Sequence, residues 1–299
     1  MQERKDSKLD FTDEEIKVLL EFFPDGICAF DLEMTGLSPL FDKIIEIAGC
    51  RILPDGTWDT YHTLVNPLIP IPEHTIEFHK LTNEDLRDQP TLKKPLSDFV
   101  EFYGNMPLLA HNVMFDASFL IRGIHEYHFP ISLSSIYDSC RMARAIYKKV
   151  DSAPKNFKLS TLVEYYGFEF SHHVALDDAI ACLKIYARCL IEYKEKHSEK
   201  NLKVLSFLFK LNSFKKAEDY ILPNKLKDLK EFVQSRTGCY IKYKGGSAKG
   251  KLRPIKPISV LPMPQGLILY AECGNSKMNK YFQVKKIQAV SLEGPGEDC

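Results

Sequence analysis

The chain has 299 residues, with 40 Lys and Arg balanced by 40 Asp and Glu. Its length predicts two domains, and a hydrophobic content of 44% is ordinary for a globular protein. No apolar stretch approaches the roughly 20 residues that cross a bilayer, and the charged first residues lack the apolar segment of a signal peptide. We therefore expect a cytoplasmic protein with no membrane partner.

The first predicted elements are a helix and three strands. T-D-E-E at residues 12–15 is a capping box, which predicts the start of a helix. Residues 27–33, 43–53 and 57–65 predict a β-meander, with P-D-G at 54–56 as the second turn.

Two carboxylates stand at the end of the first strand, in G-I-C-A-F-D-L-E-M-T-G-L at residues 26–37. Asp31 and Glu33 are two residues apart, so on a strand they point to the same face. Such a pair can grip a divalent cation where a buried strand opens onto solvent. A lone D-x-E is common and does not by itself indicate a metal site. Similar features later in the chain are needed to support that interpretation.

Helices and strands alternate after the meander. The pattern predicts a helix at 92–104, a buried strand at 108–111, a helix at 116–128 and a long helix at 175–196. This alternation is typical of a mixed α/β sheet flanked by helices.

Further acids and a histidine follow in two of these segments. Asp116 ends the apolar run 108–116, and His173 precedes Asp178 by five residues in H-V-A-L-D-D-A. Hard cations such as Mg²⁺ prefer carboxylate oxygens, and two ions about 3.5 to 4 Å apart can stabilise an in-line phosphoryl displacement. A histidine can take a proton from water near neutral pH.

The order Asp, Glu, Asp, His, Asp with its flanking residues resembles the DEDDh 3′ to 5′ exonuclease family. The pattern is similar to the proofreading exonuclease subunit of bacterial DNA polymerase III, and it covers about residues 24–195. Seven blocks carry the resemblance: F-D-x-E-x-T-G-L at 30–37, I-I-E-I-A at 44–48, V-N-P at 65–67, F-H-K-L-T at 78–82, H-N-x-x-F-D at 111–116, L-S-x-L at 159–162 and H-x-A-L-x-D-A at 173–179.

The resemblance implies a ribonuclease H-like fold and two divalent metal ions, Mg²⁺ or Mn²⁺. It implies that Asp31, Glu33 and Asp178 bind one ion and that Asp31 bridges to the second. Asp116 would hold the second ion largely through water. His173 would be the general base that deprotonates the attacking water.

Neighbouring residues compete for two of these roles. His173, and not His172, has four residues between it and Asp178. Asp177 and Asp178 would point about 100° apart on a helix, so only one can face a cleft. The alanine and leucine of the family motif select Asp178.

The resemblance also implies contacts with the substrate. The residues concerned are Met34, Thr35, Leu37, His79, His111 and Asn112. Leu37 would wedge against the terminal bases, while Lys80 follows His79 where the family more often has glycine. For His111 and Asn112, capping a turn is an equally open alternative.

The predicted secondary structure changes after the region that resembles the exonucleases. Residues 1–198 are predicted to form the exonuclease domain, 199–235 a helical connector, and 236–299 a smaller β-rich domain with short strands broken by glycine and proline.

Charge is distributed unevenly between the two parts. Residues 1–200 hold 22 basic and 32 acidic side chains, whereas 201–299 hold 18 basic and 8 acidic ones. Residues 232–271 contain no acid at all. This asymmetry favours contact between the C-terminal part and a polyanion. A basic face can also serve solubility or complement the acidic part.

The last 60 residues or so resemble the WYL domain, a small β module found in bacterial regulators and nucleic-acid enzymes. The matching blocks are I-x-Y at 241–243, R-x-I-x-P at 253–257, L-Y-A-x-C at 269–273 and K-Y-F-x-V-K-K-I at 280–287. The resemblance makes Tyr243, Arg253 and Tyr270 candidates for nucleotide or nucleic acid binding. The chain lacks a W-Y-L tripeptide, and Lys280 stands where an arginine is usual.

These features predict a metal-dependent 3′ to 5′ exonuclease of proofreading or repair type. It would release nucleoside 5′-monophosphates by two-metal-ion hydrolysis, with DNA favoured over RNA. The resemblance implies a DNA polymerase as a partner. The alternatives are an RNA-trimming exoribonuclease and a non-catalytic regulatory protein that binds nucleic acid.

Overall fold

In the computed structural model, the chain forms two compact units. The structure describes residues 10–148, 150, 152–169, 174–196, 206–245 and 250–294. The first unit comprises Met1–Glu33, Ile44–Asp116 and Pro130–Asn212, and the second comprises Met34–Lys43, Ala117–Phe129 and Ser213–Cys299. Each unit is thus discontinuous in sequence, and the three contiguous predicted domains remain a prediction.

A six-stranded mixed sheet forms the centre of the first unit. Its strands are β1 (Ile27–Met34), β2 (Ile44–Ile52), β3 (Trp58–Leu64), β4 (Leu108–Ala110), β5 (Ser135–Asp138) and β6 (Phe207–Lys210). The spatial order is β3-β2-β1-β4-β5-β6. β4 pairs in parallel with β1 and with β5, whereas the outer pairs β2–β3 and β5–β6 are antiparallel.

Helices cover both faces of this sheet. They are α1 (Asp13–Phe22), α2 (Glu73–His79), α3 (Asn83–Leu86), α4 (Lys93–Tyr103), α6 (Ser139–Ile146), α7 (Leu159–Tyr166) and α8 (Ala175–Lys196). The helix α5 (Met114–Glu126) starts in this unit, and its residues from Ala117 onward belong to the second unit. Ala29 of β1 belongs to the buried cluster that contains the apolar residues of α8. Its neighbour Phe30 contacts Phe99 of α4, with ring centroids 5.9 Å apart. Since adjacent strand residues face opposite sides, the mixed α/β sheet flanked by helices is confirmed.

Local sequence signals located most of these elements. The capping box is present, because Thr12 accepts from the backbone of Glu15 and the Glu15 side chain accepts from Thr12 in return. The P-D-G turn joins β2 to β3, with Gly56 at φ +86°. None of the helices in the described ranges is long and apolar enough to cross a membrane.

The predicted helical connector is wrong in one segment. Phe207–Lys210 forms the edge strand β6, which pairs antiparallel with β5. Its sequence F-L-F-K is too short to show a helical period, and the open edge of β5 supplies backbone partners that a strand can use. A short helix, α9 (Leu229–Gln234), does occur later in the predicted connector.

The second unit contains a five-stranded antiparallel sheet, which confirms the smaller C-terminal β-rich part. Its strands are β7 (Cys239–Tyr243), β8 (Leu252–Met263), β9 (Gly266–Cys273), β10 (Met278–Gln283) and β11 (Ile287–Ser291). The spatial order is β10-β9-β8-β7-β11. The pairing of β8 with β9 shifts register between Pro257 and Ser259, which marks a bulge at Ile258. The resemblance to a WYL domain stays a prediction.

Candidate metal centre and its surroundings

The end of β1 places two carboxylates side by side. Residues 27–30 are fully buried, and exposure begins at Asp31. Asp31 and Glu33 share a face because side chains alternate along a strand. β1 lies in the interior of the sheet between β2 and β4, so these two acids stand where a core strand meets solvent.

The helix α8 contributes a third carboxylate, that of Asp178. Ligand oxygens of Asp31, Glu33 and Asp178 all lie within 4.8 Å of one another. Asp178 is in the first turn of α8, where its backbone N–H donates to the carbonyl of Val174. The three acids open into a cleft of about 290 Å³, whose lining residues are Asp31, Leu32, Glu33, His111, Leu159, Ser160 and Asp178.

Asp116 lies beside the same strand. It is in the first turn of α5 and is 7% exposed. Its Oδ1 accepts a hydrogen bond of 3.3 Å from the backbone N–H of Leu32, the residue between the two acids of β1. The structure therefore brings all four predicted carboxylates to one end of the sheet, with three of them in the tight cluster.

Burial and mutual repulsion make this cluster costly to ionise. Burial is the main cause that raises the pKa of Asp31 well above its ordinary value, and repulsion from Asp116 and Asp178 adds to it. Burial, then repulsion from Glu46, raises the pKa of Glu33 to about 8. The pKa values of Asp116 and Asp178 rise to about 7, again chiefly through burial. Four such acids need bound positive charge to be ionised together at neutral pH.

The donor set fits a hard divalent cation. The clustered ligand atoms are all carboxylate oxygens, which suit Mg²⁺ and Mn²⁺ and do not suit softer metals. Bound cations would also offset the charge repulsion that raises the pKa values of these acids. The cluster therefore has the composition and the electrostatics of a site for such ions.

Glu46 is a fifth acid at this site, which the sequence reasoning did not identify. It lies on β2, is 6% exposed, and raises the pKa values of Asp31, Glu33 and Asp178 by repulsion. Nε2 of His62 lies 2.6 Å from its carboxylate. The signal in the sequence is a single carboxylate inside the apolar strand I-I-E-I-A, where a buried acid needs a partner.

The structure decides between Asp177 and Asp178 as the cluster member, but it does not decide between His172 and His173 as the general base. Asp178, and not Asp177, is the member of the carboxylate cluster, and repulsion from Asp177 contributes to the raised pKa of Asp178. The predicted general base His173 and its neighbour His172 lie outside the described residues. The assignment of His173 therefore stays a prediction.

The contacts of His111 fit a structural role beside the cleft. Its Nε2 lies 2.9 Å from the carbonyl of Phe157, and its Nδ1 lies 2.7 Å from the hydroxyl of Ser139. Since a carbonyl only accepts, Nε2 carries the proton and Nδ1 accepts from Ser139. Burial lowers the pKa of His111. Both ring nitrogens thus have protein partners in the neutral form.

Asn112 forms the turn that follows. Its φ is +62°, a conformation that asparagine tolerates better than most residues. Its backbone N–H donates to Oδ1 of Asp138, which also caps α6 by accepting from Arg141. The exposed Asn112 side chain is still a candidate for substrate contact.

His79 has one imidazole nitrogen that bonds to none of the described residues. It is 4% exposed, and its Nδ1 accepts from the backbone N–H of Leu81. The proton must then be on Nε2, which has no hydrogen-bond partner within the part of the chain that the structure describes. Burial lowers the pKa of His79, and the charge of Glu46 opposes that shift. A buried N–H donor without a partner is costly.

The other substrate candidates begin the second unit. Met34 ends β1, and Thr35 exchanges two hydrogen bonds with the backbone of Lys43. A Cβ at Gly36 would lie 2.5 Å from the carboxylate of Asp42, which accepts from the backbone N–H of Ser38, so a larger residue there would displace that carboxylate. The side chain of Leu37, which follows, is 41% exposed.

The three candidates in the C-terminal sheet do not share one environment. Arg253 is 5% exposed, and its guanidinium lies over the ring of Phe282 at 5.5 Å. Tyr243 packs against the same ring at 5.2 Å, and its hydroxyl accepts from the backbone of Gln283. Tyr270 lies in β9 directly opposite Tyr281 and contacts it on the other face of the sheet.

Comparison with known proteins gives a consistent result for the first part of the chain. A family model described as exonuclease (RNase_T) matches residues 28–186, which is more than half of the chain. A DNA polymerase III PolC-type protein of Clostridium perfringens is 32% identical over 187 residues, which are 62% of this chain and 13% of that protein. Its counterpart in Caldanaerobacter subterraneus is 33% identical over 167 residues, 56% of this chain and 12% of that protein. The chain spans about an eighth of these relatives.

Solved structures show the same fold. The nuclease domain of 3'hExo, described as a DEDDh family member bound to rAMP, has a TM-score of 0.50 at 20% identity, covering 62% of this chain and 97% of that domain. E. coli Exonuclease I in complex with a dA16 oligonucleotide has a TM-score of 0.50 at 14% identity, covering 83% of this chain and 55% of that one.

Proposed function

This chain belongs to the exonuclease family, and on that premise we propose that it is a divalent-metal-dependent 3′ to 5′ exonuclease that acts on DNA. The observation that carries the proposal is the cluster of Asp31, Glu33 and Asp178, whose ligand oxygens lie within 4.8 Å of one another in an open cleft. Similarity to PolC-type polymerases supports DNA as the substrate.

The carboxylates would hold the metal ions. Asp31, Glu33 and Asp178 would bind one ion, and Asp116 with Asp31 would bind a second. Bound divalent ions would neutralise the acids and the phosphodiester and stabilise the charge that develops on the attacking and leaving oxygens. Until then, the raised pKa values keep part of the cluster protonated.

The remaining groups would place the substrate and move a proton. His173 would accept the proton of the attacking water. That water would bond to phosphorus while the bond from phosphorus to the 3′ oxygen breaks. The leaving 3′ oxygen would take a proton from solvent, so that the products are a nucleoside 5′-monophosphate and a strand with a new 3′-hydroxyl. His79 matches a histidine that the family has near the nucleotide-binding edge, and it would support that edge.

Digestion of end-labelled oligonucleotides tests the proposal. Single-stranded DNA and RNA of one sequence, labelled at the 3′ or the 5′ end, are incubated with Mg²⁺ or Mn²⁺ and wild-type protein. We expect stepwise loss from the 3′ end and no activity in Asp31→Asn, which keeps the size of the side chain.

The controls separate the alternatives. Asp25→Asn removes an exposed acid and should retain the wild-type rate. Faster loss of RNA than of DNA would favour the exoribonuclease alternative. Binding without cleavage of any substrate would overturn the catalytic proposal and favour a regulatory protein.

A further inference from the structure

An aromatic pair lies on one face of the C-terminal sheet. Tyr270 of β9 and Tyr281 of β10 are directly opposite each other in the antiparallel register. Their ring centroids are 4.8 Å apart and their planes are 28° apart, which is a stacked arrangement. Tyr281 is 48% exposed. The next pair along the strands, Leu269 and Phe282, points to the other face and is buried.

One amide and one basic side chain lie on the same face as the two rings. Asn279 donates from Nδ2 to the hydroxyl of Tyr270 at 2.8 Å, which fixes the position of that ring. Register places Lys256 of β8 on the same face, opposite Glu272. Lys256 is exposed, whereas Glu272 is half-buried and is the only acid in residues 232–292. This composition is complementary to a polyanion that also carries flat apolar rings.

The aromatic pair adjoins the loop that leaves the catalytic strand. Ser259 of β8 is the register partner of Tyr270, and its hydroxyl donates to the carbonyl of Leu37 at 2.7 Å. Ser38 donates to the carbonyl of Val260 at 3.2 Å and accepts from its N–H at 3.1 Å. All of these residues belong to the second unit.

The loop itself is rigidly held at these contacts. Ser38 and Ser259 are both fully buried, and the bulge at Ile258 turns the Ser259 side chain to the face of the tyrosines. Leu37 keeps 41% of its surface exposed, and it lies four residues after Glu33 in the chain. Ser259 therefore links the backbone of Leu37 to the strand position opposite Tyr270.

We propose that Tyr270 and Tyr281 form a stacking platform for unpaired bases of the single-stranded nucleic acid on which this protein acts. Aromatic side chains on an open sheet face hold single-stranded bases without regard to sequence, because every base has a π-face. The C-terminal sheet thus belongs to the substrate-binding surface. This inference rests on the proposed exonuclease function and extends it from the terminal nucleotide to the strand behind it.

Binding of single strands to the full-length protein in excess chelator tests the platform without cleavage. Fluorescence anisotropy with labelled oligo-dT and oligo-U should show that Tyr281→Ala weakens binding between about 5-fold and 150-fold, the range expected for loss of one base–aromatic stack. Met278→Ala is the matched control, because Met278 is 59% exposed on the same strand but faces the other side. Its affinity should stay within about twofold of wild type. Equal affinity of Tyr281→Ala and wild type would overturn the platform.

A second variant tests whether weaker binding by Tyr281→Ala comes from the loss of the ring or from misfolding. Tyr281→Trp preserves an aromatic surface and should bind at least as tightly as wild type, and stacking of a base should quench the added indole fluorescence. The signal is read against wild type, whose one tryptophan is Trp58. Absence of additional quenching at saturating oligonucleotide would also overturn the platform.

Cleavage distinguishes failure of the platform from failure of the proposed function. The ratio of kcat/KM for a long single strand to that for a dinucleotide should fall in Tyr281→Ala, mainly through KM. If wild type cleaves and this ratio does not change, the platform is wrong and the exonuclease stands. If wild type cleaves nothing but Tyr281→Ala binds more weakly, the platform stands and the catalytic proposal is wrong.

Discussion

Removal of one charge from the carboxylate cluster should stabilise the metal-free protein at alkaline pH. Asp116 is 7% exposed, and its pKa of about 7 lies some 3 units above its ordinary value of 3.8. At about 1.36 kcal/mol per unit, ionising it in the folded state costs up to about 4 kcal/mol. Asp116→Asn cannot ionise, while its side-chain oxygen can still accept from Leu32.

The direction in which stability changes with pH follows from proton binding by the folded and unfolded states. Between pH 4 and 7 or so the folded protein holds a proton on Asp116 that the unfolded chain has released, so stability falls as pH rises. In chelator at pH 8, Asp116→Asn should therefore have a free energy of unfolding about 1 to 4 kcal/mol above wild type. At pH 4, close to the ordinary pKa of 3.8, Asp116 is largely protonated in the unfolded chain as well, and the difference should be under about 1 kcal/mol.

Urea denaturation at both pH values provides the measurement, with Asp25→Asn as a control for loss of an exposed acid. A variant less stable than wild type at pH 8 in chelator would refute the electrostatic account of the cluster. Added Mn²⁺ should stabilise wild type more than Asp116→Asn, because the ion binds the folded state and needs the carboxylate.

Three further predictions concern residues around the cluster. His173→Ala should retain Mn²⁺ binding in calorimetry and lose about 10²-fold to 10⁴-fold in kcat, the usual contribution of a general base; full activity at neutral pH would exclude that role. Glu46→Gln removes a buried charge next to the ligands and should weaken Mn²⁺ binding about 10-fold, whereas an unchanged Kd would show that Glu46 does not act on the ions. Ser259→Ala leaves the Leu37 carbonyl without its donor and should cost about 1 to 3 kcal/mol of unfolding free energy in urea, and a neutral effect would show that the contact is not stabilising.

Local patterns explain why much of the first unit could be predicted. The capping box at Thr12 and the turn at Gly56 depend on residues close in sequence. The pairing of Asp31 with Glu33 needs only the two-residue period of a strand. Family motifs then identified Asp116 and Asp178, which the structure brings to the same end of the sheet.

Other features depend on contacts between distant segments. Glu46 joins the cluster only because β2 lies beside β1; its apolar strand indicates burial, but it does not indicate which residues are its neighbours. The grouping of Met34–Lys43 with the C-terminal sheet requires contacts across more than 200 residues. The division of Tyr243 and Tyr270 between two faces depends on strand register, which composition does not reveal.

The hydrogen bonds between Ser38 and Val260 also determine when, during synthesis, the loop after β1 can acquire its partners. These residues are 222 positions apart, so at about 5 to 20 residues per second the ribosome needs roughly 10 to 40 seconds to produce the second after the first. During that interval the segment after Glu33 lacks the partners that bury Ser38. A nascent chain can therefore pair β1 with β2 and β4 before the partners of the adjoining loop have been synthesised.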